Sequence, residues 1–143
     1  MGKPKHARAL KLDKHFAPLT TDDGDEFFPN GIFVFNITKI LKHIHGNPDK
    51  FISLPVAVRD YAQRFSPIDD VDSADVSKPV ILAEIAPGRY NLIDGNHRME
   101  KACRSGMEYI MAYKVDMEEH IQFLTTYKGY SSFFEYWNGK LKD

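Results

Sequence analysis

The chain has one cysteine, Cys103, among its 143 residues. That excludes an internal disulfide framework and a zinc site built on several thiolates. No apolar run approaches the roughly 20 residues needed to cross a bilayer, and no positively charged start leads into an apolar signal segment. Membrane and secreted classes are therefore set aside, and a cytoplasmic location is expected. An excess of one charge is lacking too: 19 Lys and Arg stand against 20 Asp and Glu, a formal net charge of −1. The overall basicity of a dedicated nucleic-acid binder is missing, although a local patch can survive it. What remains is a globular composition, with 43% hydrophobic, 13% aromatic and 27% charged residues. The length fits one domain. Folding a chain this long buries roughly 65–70% of its extended-chain surface, so no covalent or metal staple is needed.

Residues 1–26 are expected to form a flexible charged arm. Lys3, Lys5, His6, Arg8, Lys11, Lys14 and His15 come first, and Asp22, Asp23, Asp25 and Glu26 follow. The arm is either solvated, with its charges offsetting one another, or laid by its basic part on a nucleic-acid backbone. The domain proper is expected over residues 27–143. Gly31 to Ile37 is rich in β-branched and aromatic residues and reads as a strand. Ile37, Ile40, Leu41 and Ile44 then line one helix face, which Gly46 stops. A second helix is predicted from Ser53, with Pro55 in its first turn and Leu54, Ala57, Val58, Tyr61 and Phe65 as its stripe. Residues 66–79 read as a solvated loop. Their aspartates lack the central glycine and closing glutamate of a calcium loop.

Val80–Ile85 and Tyr90–Ile93 flank Pro87-Gly88 and predict a β-hairpin. A short helix follows, with Met99, Ala102 and Cys103 inward and Gly106 at its end. A strand over Glu108–Val115 comes next. Met117, Ile121 and Leu124 mark another helix, which Gly129 should break, and Tyr130, Phe133, Phe134 and Trp137 mark a terminal one. That aromatic cluster suits core packing or a homodimer contact. Cys103 reads as a small buried hydrophobe. His43 and His45, two apart on a helix, diverge and read as surface residues, and Glu118-Glu119-His120 reads as a solvated face.

Asp94-Gly95-Asn96-His97-Arg98 carries the chemistry. It lies where a strand passes to a helix N-terminus, whose first amides lack acceptors and carry partial positive charge. Gly95 allows a sharp turn and close approach of a ligand to the backbone. Arg98 can grip phosphate oxygens through its planar fork. His97 can donate or carry a proton, although helical spacing turns it toward solvent. Asp94 can hold Mg²⁺ against phosphates or act as a base. The same residues also make a good turn in which Arg98 pairs with Asp94 or Glu84.

Residues 79–115, from Pro-Val-Ile-Leu-Ala through the hairpin and Tyr-Asn-Leu-Ile-Asp-Gly-Asn-His-Arg to a closing strand, resemble the core of the ParB/sulfiredoxin superfamily. The likeness is nearest to the branch with ADP-dependent free-serine kinases and ParB-like nuclease domains. There an Asp-Gly-x-x-Arg box at a helix start holds nucleotide phosphates. Val34–Ile40 is similar, less specifically, to the family's first strand and turn. The resemblance implies a single α+β domain: a small mixed sheet with a β-hairpin and flanking helices. It also implies a phosphate-binding box of Gly95, Asn96, His97 and Arg98, with Asp94 nearest the reacting phosphoryl group. Sulfiredoxins have a nucleophilic cysteine where Asn96 stands, so sulfinic-acid reduction is not expected. Partition-type ParB proteins carry Glu-Arg-Arg in the box and a helix-turn-helix domain that residues 117–143 are too short to form. No acidic residue between Gly31 and His45 supplies the glutamate that the serine kinases use near the first strand.

The expected ligands are a nucleoside di- or triphosphate and Mg²⁺, the latter on Asp94. The expected chemistry is phosphoryl transfer or nucleotide hydrolysis with Asp94 and His97 as catalytic groups. A metal-dependent DNA nuclease using the basic arm, and a non-catalytic nucleotide-gated interaction module dimerising through the aromatic C-terminus, are the alternatives. Removal of the Arg98 side chain is expected to abolish ligand binding with little effect on the unliganded fold.

Overall fold

Asn36 ends one element and starts the next. Its side chain accepts from Lys39 N at 3.1 Å and so caps the first turn of a helix. The computed structural model describes residues 9–31, 33–62 and 71–141. In it a hairpin of β1 (Phe27–Asn30) and β2 (Phe33–Asn36) runs through that cap into α1 (Ile37–His45). Ile37, Ile40 and Ile44 are buried and Leu41 packs beside them, as the helical spacing predicts.

The main sheet has the order β3-β6-β4-β5. β4 (Val80–Ala86) and β5 (Arg89–Asp94) form the predicted hairpin. α2 (Asn96–Arg104) follows and returns the chain to β6 (Tyr109–Val115), which runs parallel to β4. β4 is covered on both faces and accordingly reads as a nearly unbroken apolar run. Val80 and Leu82 pack with Met99 and Ala102 of α2. Ile81 and Ala83 pack on the other side with α1 and the C-terminal helix. The result is a mixed α+β domain.

The helix predicted from Ser53 is instead β3 (Leu54–Ala57), followed by a 3₁₀ turn over Val58–Asp60. Antiparallel pairing of β3 with Tyr109–Ala112 overrides the helical reading. The burial agrees from Pro55 onward, where exposed Pro55 and half-buried Ala57 alternate with buried Val56 and Val58; Leu54, at the start of the strand, is exposed although it shares their face. Pro55 fits because β3 is an edge strand. Phe65 lies outside the described residues. β3, and not the Val34–Ile40 segment, is the upstream strand that joins the main sheet, since β2 pairs in a separate two-stranded sheet.

Gly129 does not break a helix. The chain turns at Leu124–Thr126, and Thr126 caps α4 (Tyr127–Lys140) by accepting from Gly129 N at 2.9 Å. α3 (Met117–His120) is a single turn continued by a 3₁₀ turn over Ile121–Phe123. The C-terminal aromatics are core: Phe123, Tyr130, Phe133, Phe134 and Trp137 are buried, leaving Tyr127 and Tyr136 exposed.

His120 was expected on a solvated face and is fully buried. Its Nε2 donates to the Glu84 carbonyl at 2.6 Å, and its ring meets Phe35 and Phe133 edge-on. Burial lowers its pKa to about 4, against the opposing pull of the Glu84 contact. His43 is half-buried, bonded to Glu119 at 2.9 Å and set between Phe51 and Phe123. Cys103 is partly buried on the α2 side of the sheet.

Residues 9–26 have no regular secondary structure but are tied to the domain. Leu10 exchanges two hydrogen bonds with the Asn138 side chain. Phe16 stacks on Tyr130 at 3.8 Å between centroids, and Lys39 bonds Asp22 at 2.8 Å. Residues 1–8, which hold Lys3, Lys5, His6 and Arg8, lie outside the described part. No helix among the described residues is long and apolar enough to cross a membrane.

Candidate anion site at the start of α2

Gly95 is the hinge between β5 and α2. Its φ is +100°, and a Cβ built there would lie 2.5 Å from Val80 Cγ1. No residue with a side chain fits without displacing β4. The first intrahelical bond runs from Met99 N to Gly95 O at 2.9 Å. No side chain caps the first turn and no acidic residue lies in it. The amides of Asn96, His97 and Arg98 therefore have no acceptor within their own helix.

That uncapped end opens into a cleft of about 900 Å³. All five residues of the Asp94–Arg98 segment line it, so the structure brings the predicted set to one wall. His97 is exposed, as its helical position predicts, and is among the residues that line the cleft. Gly95 and Asn96 are half-buried.

Arg98 is engaged by the protein itself. Nη2 donates to Asp94 Oδ2 at 3.0 Å, and Nη1 donates to the Pro79 carbonyl at 2.7 Å and to that of Lys78 at 3.4 Å. The guanidinium thus ties the entry of β4 to the exit of β5 and the first turn of α2. Of the two pairings open in the sequence, the one with Asp94 forms; Glu84 instead accepts from Gly88 N and Met117 N, each at 3.0 Å. The expectation that Arg98 can be removed without cost to the unliganded fold does not survive this geometry. Its side chain is a brace, 18% exposed, at the edge of the cleft.

Several lining residues were not foreseen. Lys78, Asp75 and Ser73 come from the segment read as a solvated loop, Glu26 from the N-terminal segment and His45 from α1. Phe28, Leu41, Ile93 and Tyr113 give the cleft an apolar part. Lys78 was within reach of sequence reasoning: the pairing Ile81↔Asp94 sets residues 78–79 beside the start of α2. Nothing local signals Glu26 or Phe28, which arrive through the packing of the first hairpin. Residues 66–70 of that loop lie outside the described part; the rest is less free than predicted, since Val71 is buried and Val76 packs beside α2. The Asp75 carboxyl is held below the usual range by hydrogen bonds from Ser77.

The donor set suits Mg²⁺ only in part. Among the described residues no group of three His, Cys, Asp or Glu side chains is placed to hold a metal. Mg²⁺, however, commonly uses one or two carboxylates and completes its shell with phosphate oxygens and water. With Oδ2 of Asp94 taken by Arg98, Oδ1 is the oxygen left for such a role.

Comparison with protein-family models, with curated proteins and with solved structures finds no match to this chain.

Proposed function

We propose that this cleft binds a nucleoside di- or triphosphate with its phosphates on the first turn of α2, and that the domain is of ParB/sulfiredoxin type. The observation that carries the reading is the uncapped N-terminus of a nine-residue helix opening into a large cleft. Helix N-termini of this kind are ready anion sites. Lys78, which lines the cleft beside the start of α2, adds a mobile positive charge, and His97 adds an imidazole that can donate to a bound anion. The apolar part at Phe28, Leu41 and Tyr113 offers a surface for a planar base or another apolar group of the ligand. The volume is of the size that takes a small organic ligand, about 300–1,000 Å³.

Phosphoryl transfer or nucleotide hydrolysis is the reaction class that fits best. In it a protein mainly positions groups and neutralises charge. The amides of residues 96–98 and Lys78 would neutralise. Asp94, oriented by Arg98, would present Oδ1 to Mg²⁺, which when bound screens the phosphate oxygens. His97, open to solvent at the cleft surface, would carry a proton to or from the reacting oxygen.

A thermal-shift panel of ATP, ADP, CTP and GTP with Mg²⁺ tests the reading. A nucleotide at about a hundredfold excess over its Kd stabilises a native protein by about 2.7 kcal/mol. One nucleotide should raise the melting temperature, and release of phosphate from it would mark turnover. Cleavage of single-stranded DNA with Mg²⁺, without a nucleotide shift, would favour the nuclease alternative. A shift without turnover, accompanied by a change of oligomeric state, would favour the interaction module.

A further inference from the structure

Two basic side chains of α2 reach the same stretch of chain. Lys101 Nζ donates to the carbonyls of Asp72 and Ala74, both at 2.8 Å. Arg98, one turn earlier, holds the carbonyls of Lys78 and Pro79. Between these anchors runs the wall of the cleft that carries Asp75 and Lys78. The wall has little regular structure of its own: a 3₁₀ turn over Val71–Ser73 and a tight turn in which Asp75 accepts from Ser77.

A lysine on a helix surface ordinarily keeps its ammonium in water. Fixing it on two main-chain carbonyls costs rotamer freedom, so the geometry persists only where the charge-assisted bonds exceed that cost. Lys101 does not line the cleft, and its donors are directed at the backbone of the wall. Its influence on a ligand would run through Lys78 and Asp75.

We propose that Lys101 is a positioning residue, a clamp that holds residues 72–78 so that Lys78 faces the first turn of α2. The clamp stands on the two hydrogen bonds alone; its effect on a ligand rests on the nucleotide reading given above. Because both anchors sit on α2, the two walls of the anion site move as one body with that helix.

The test compares the wild type with Lys101→Met, which keeps the apolar stem but loses the donors, and with Lys101→Arg, which restores them. Hydrogen exchange is read on residues 72–78 in the ligand-free proteins, and Kd for ATP with Mg²⁺ is measured alongside. Loss of a charged hydrogen bond of this kind corresponds to about a tenfold effect. Lys101→Met is expected to exchange about tenfold faster over 72–78 and to bind ATP about tenfold more weakly, with exchange over β4 and β6 unchanged. Lys101→Arg should recover both. Unchanged exchange over 72–78 would overturn the clamp, and faster exchange with an unaltered Kd would overturn the positioning role. Failure of the wild type to bind ATP would refute the nucleotide reading instead, and the exchange result would then decide the clamp by itself.

Discussion

The Arg98 guanidinium lies 3.0 Å from the carboxylate of Asp94, the last residue of β5, and the two side chains are 18% and 23% exposed. The pair bridges the strand–helix junction from both ends of the Asp-Gly-Asn-His-Arg segment. Because Nη1 also holds the Pro79 carbonyl, the same cation fixes the entry of β4. The chemistry read in this segment and its architecture are therefore coupled.

Arg98→Ala should lower both stability and ligand affinity. It strands a partly buried carboxylate and two carbonyls, a loss of about 1–3 kcal/mol. Urea unfolding of the single variants Arg98→Ala and Asp94→Ala and of the double variant gives the pair's coupling energy. A nonzero coupling is expected, with the double variant less damaged than the sum of the singles.

Lys78→Ala should separate binding from folding. The side chain is exposed, and the residue is held through its backbone: its N–H donates to the Asp75 carbonyl at 3.1 Å and its carbonyl accepts from Arg98. Unfolding should change by less than about 0.5 kcal/mol, as for ordinary surface positions. Nucleotide affinity should fall severalfold, with a weaker salt dependence, measured by titration calorimetry.

Gly95→Ala should be among the most damaging substitutions in the domain. It combines a left-handed backbone with a Cβ pressed to 2.5 Å from Val80. Strain and overpacking together amount to about 2–4 kcal/mol, read as a lower urea midpoint.

His120 should give the domain a distinct acid sensitivity. Burial lowers its folded pKa to about 4, below the unfolded value near 6.5. Between those values the unfolded chain binds a proton that the native state does not, so stability falls as pH drops from about 6.5 toward 4. The full span corresponds to roughly 3 kcal/mol. His120→Phe, whatever its absolute stability, should flatten the pH dependence of urea unfolding across that window.

The hairpin and α2 were legible because their signals are local: an apolar run, a Pro-Gly turn and helical spacing lie within 25 residues of each other. β3 was not, because four residues with Pro55 acquire strand geometry only by pairing with β6, some fifty positions later. His120 misled for a related reason. On a one-turn helix the polar neighbours Glu118 and Glu119 suggest solvent, while the burial comes from Phe35, Glu84 and Phe133. In the cleft, the part formed by the box was legible and Lys78 was within reach through the hairpin register, while the remaining lining was not. Glu26, Phe28 and His45 meet it only through tertiary packing.

The most direct test is amide chemical-shift mapping on ¹⁵N-labelled protein titrated with ATP and Mg²⁺. The account predicts that the largest shifts fall on the amides of Gly95, Asn96, His97 and Arg98, with smaller ones at Lys78. Shifts centred elsewhere, or none at saturating nucleotide, would contradict it.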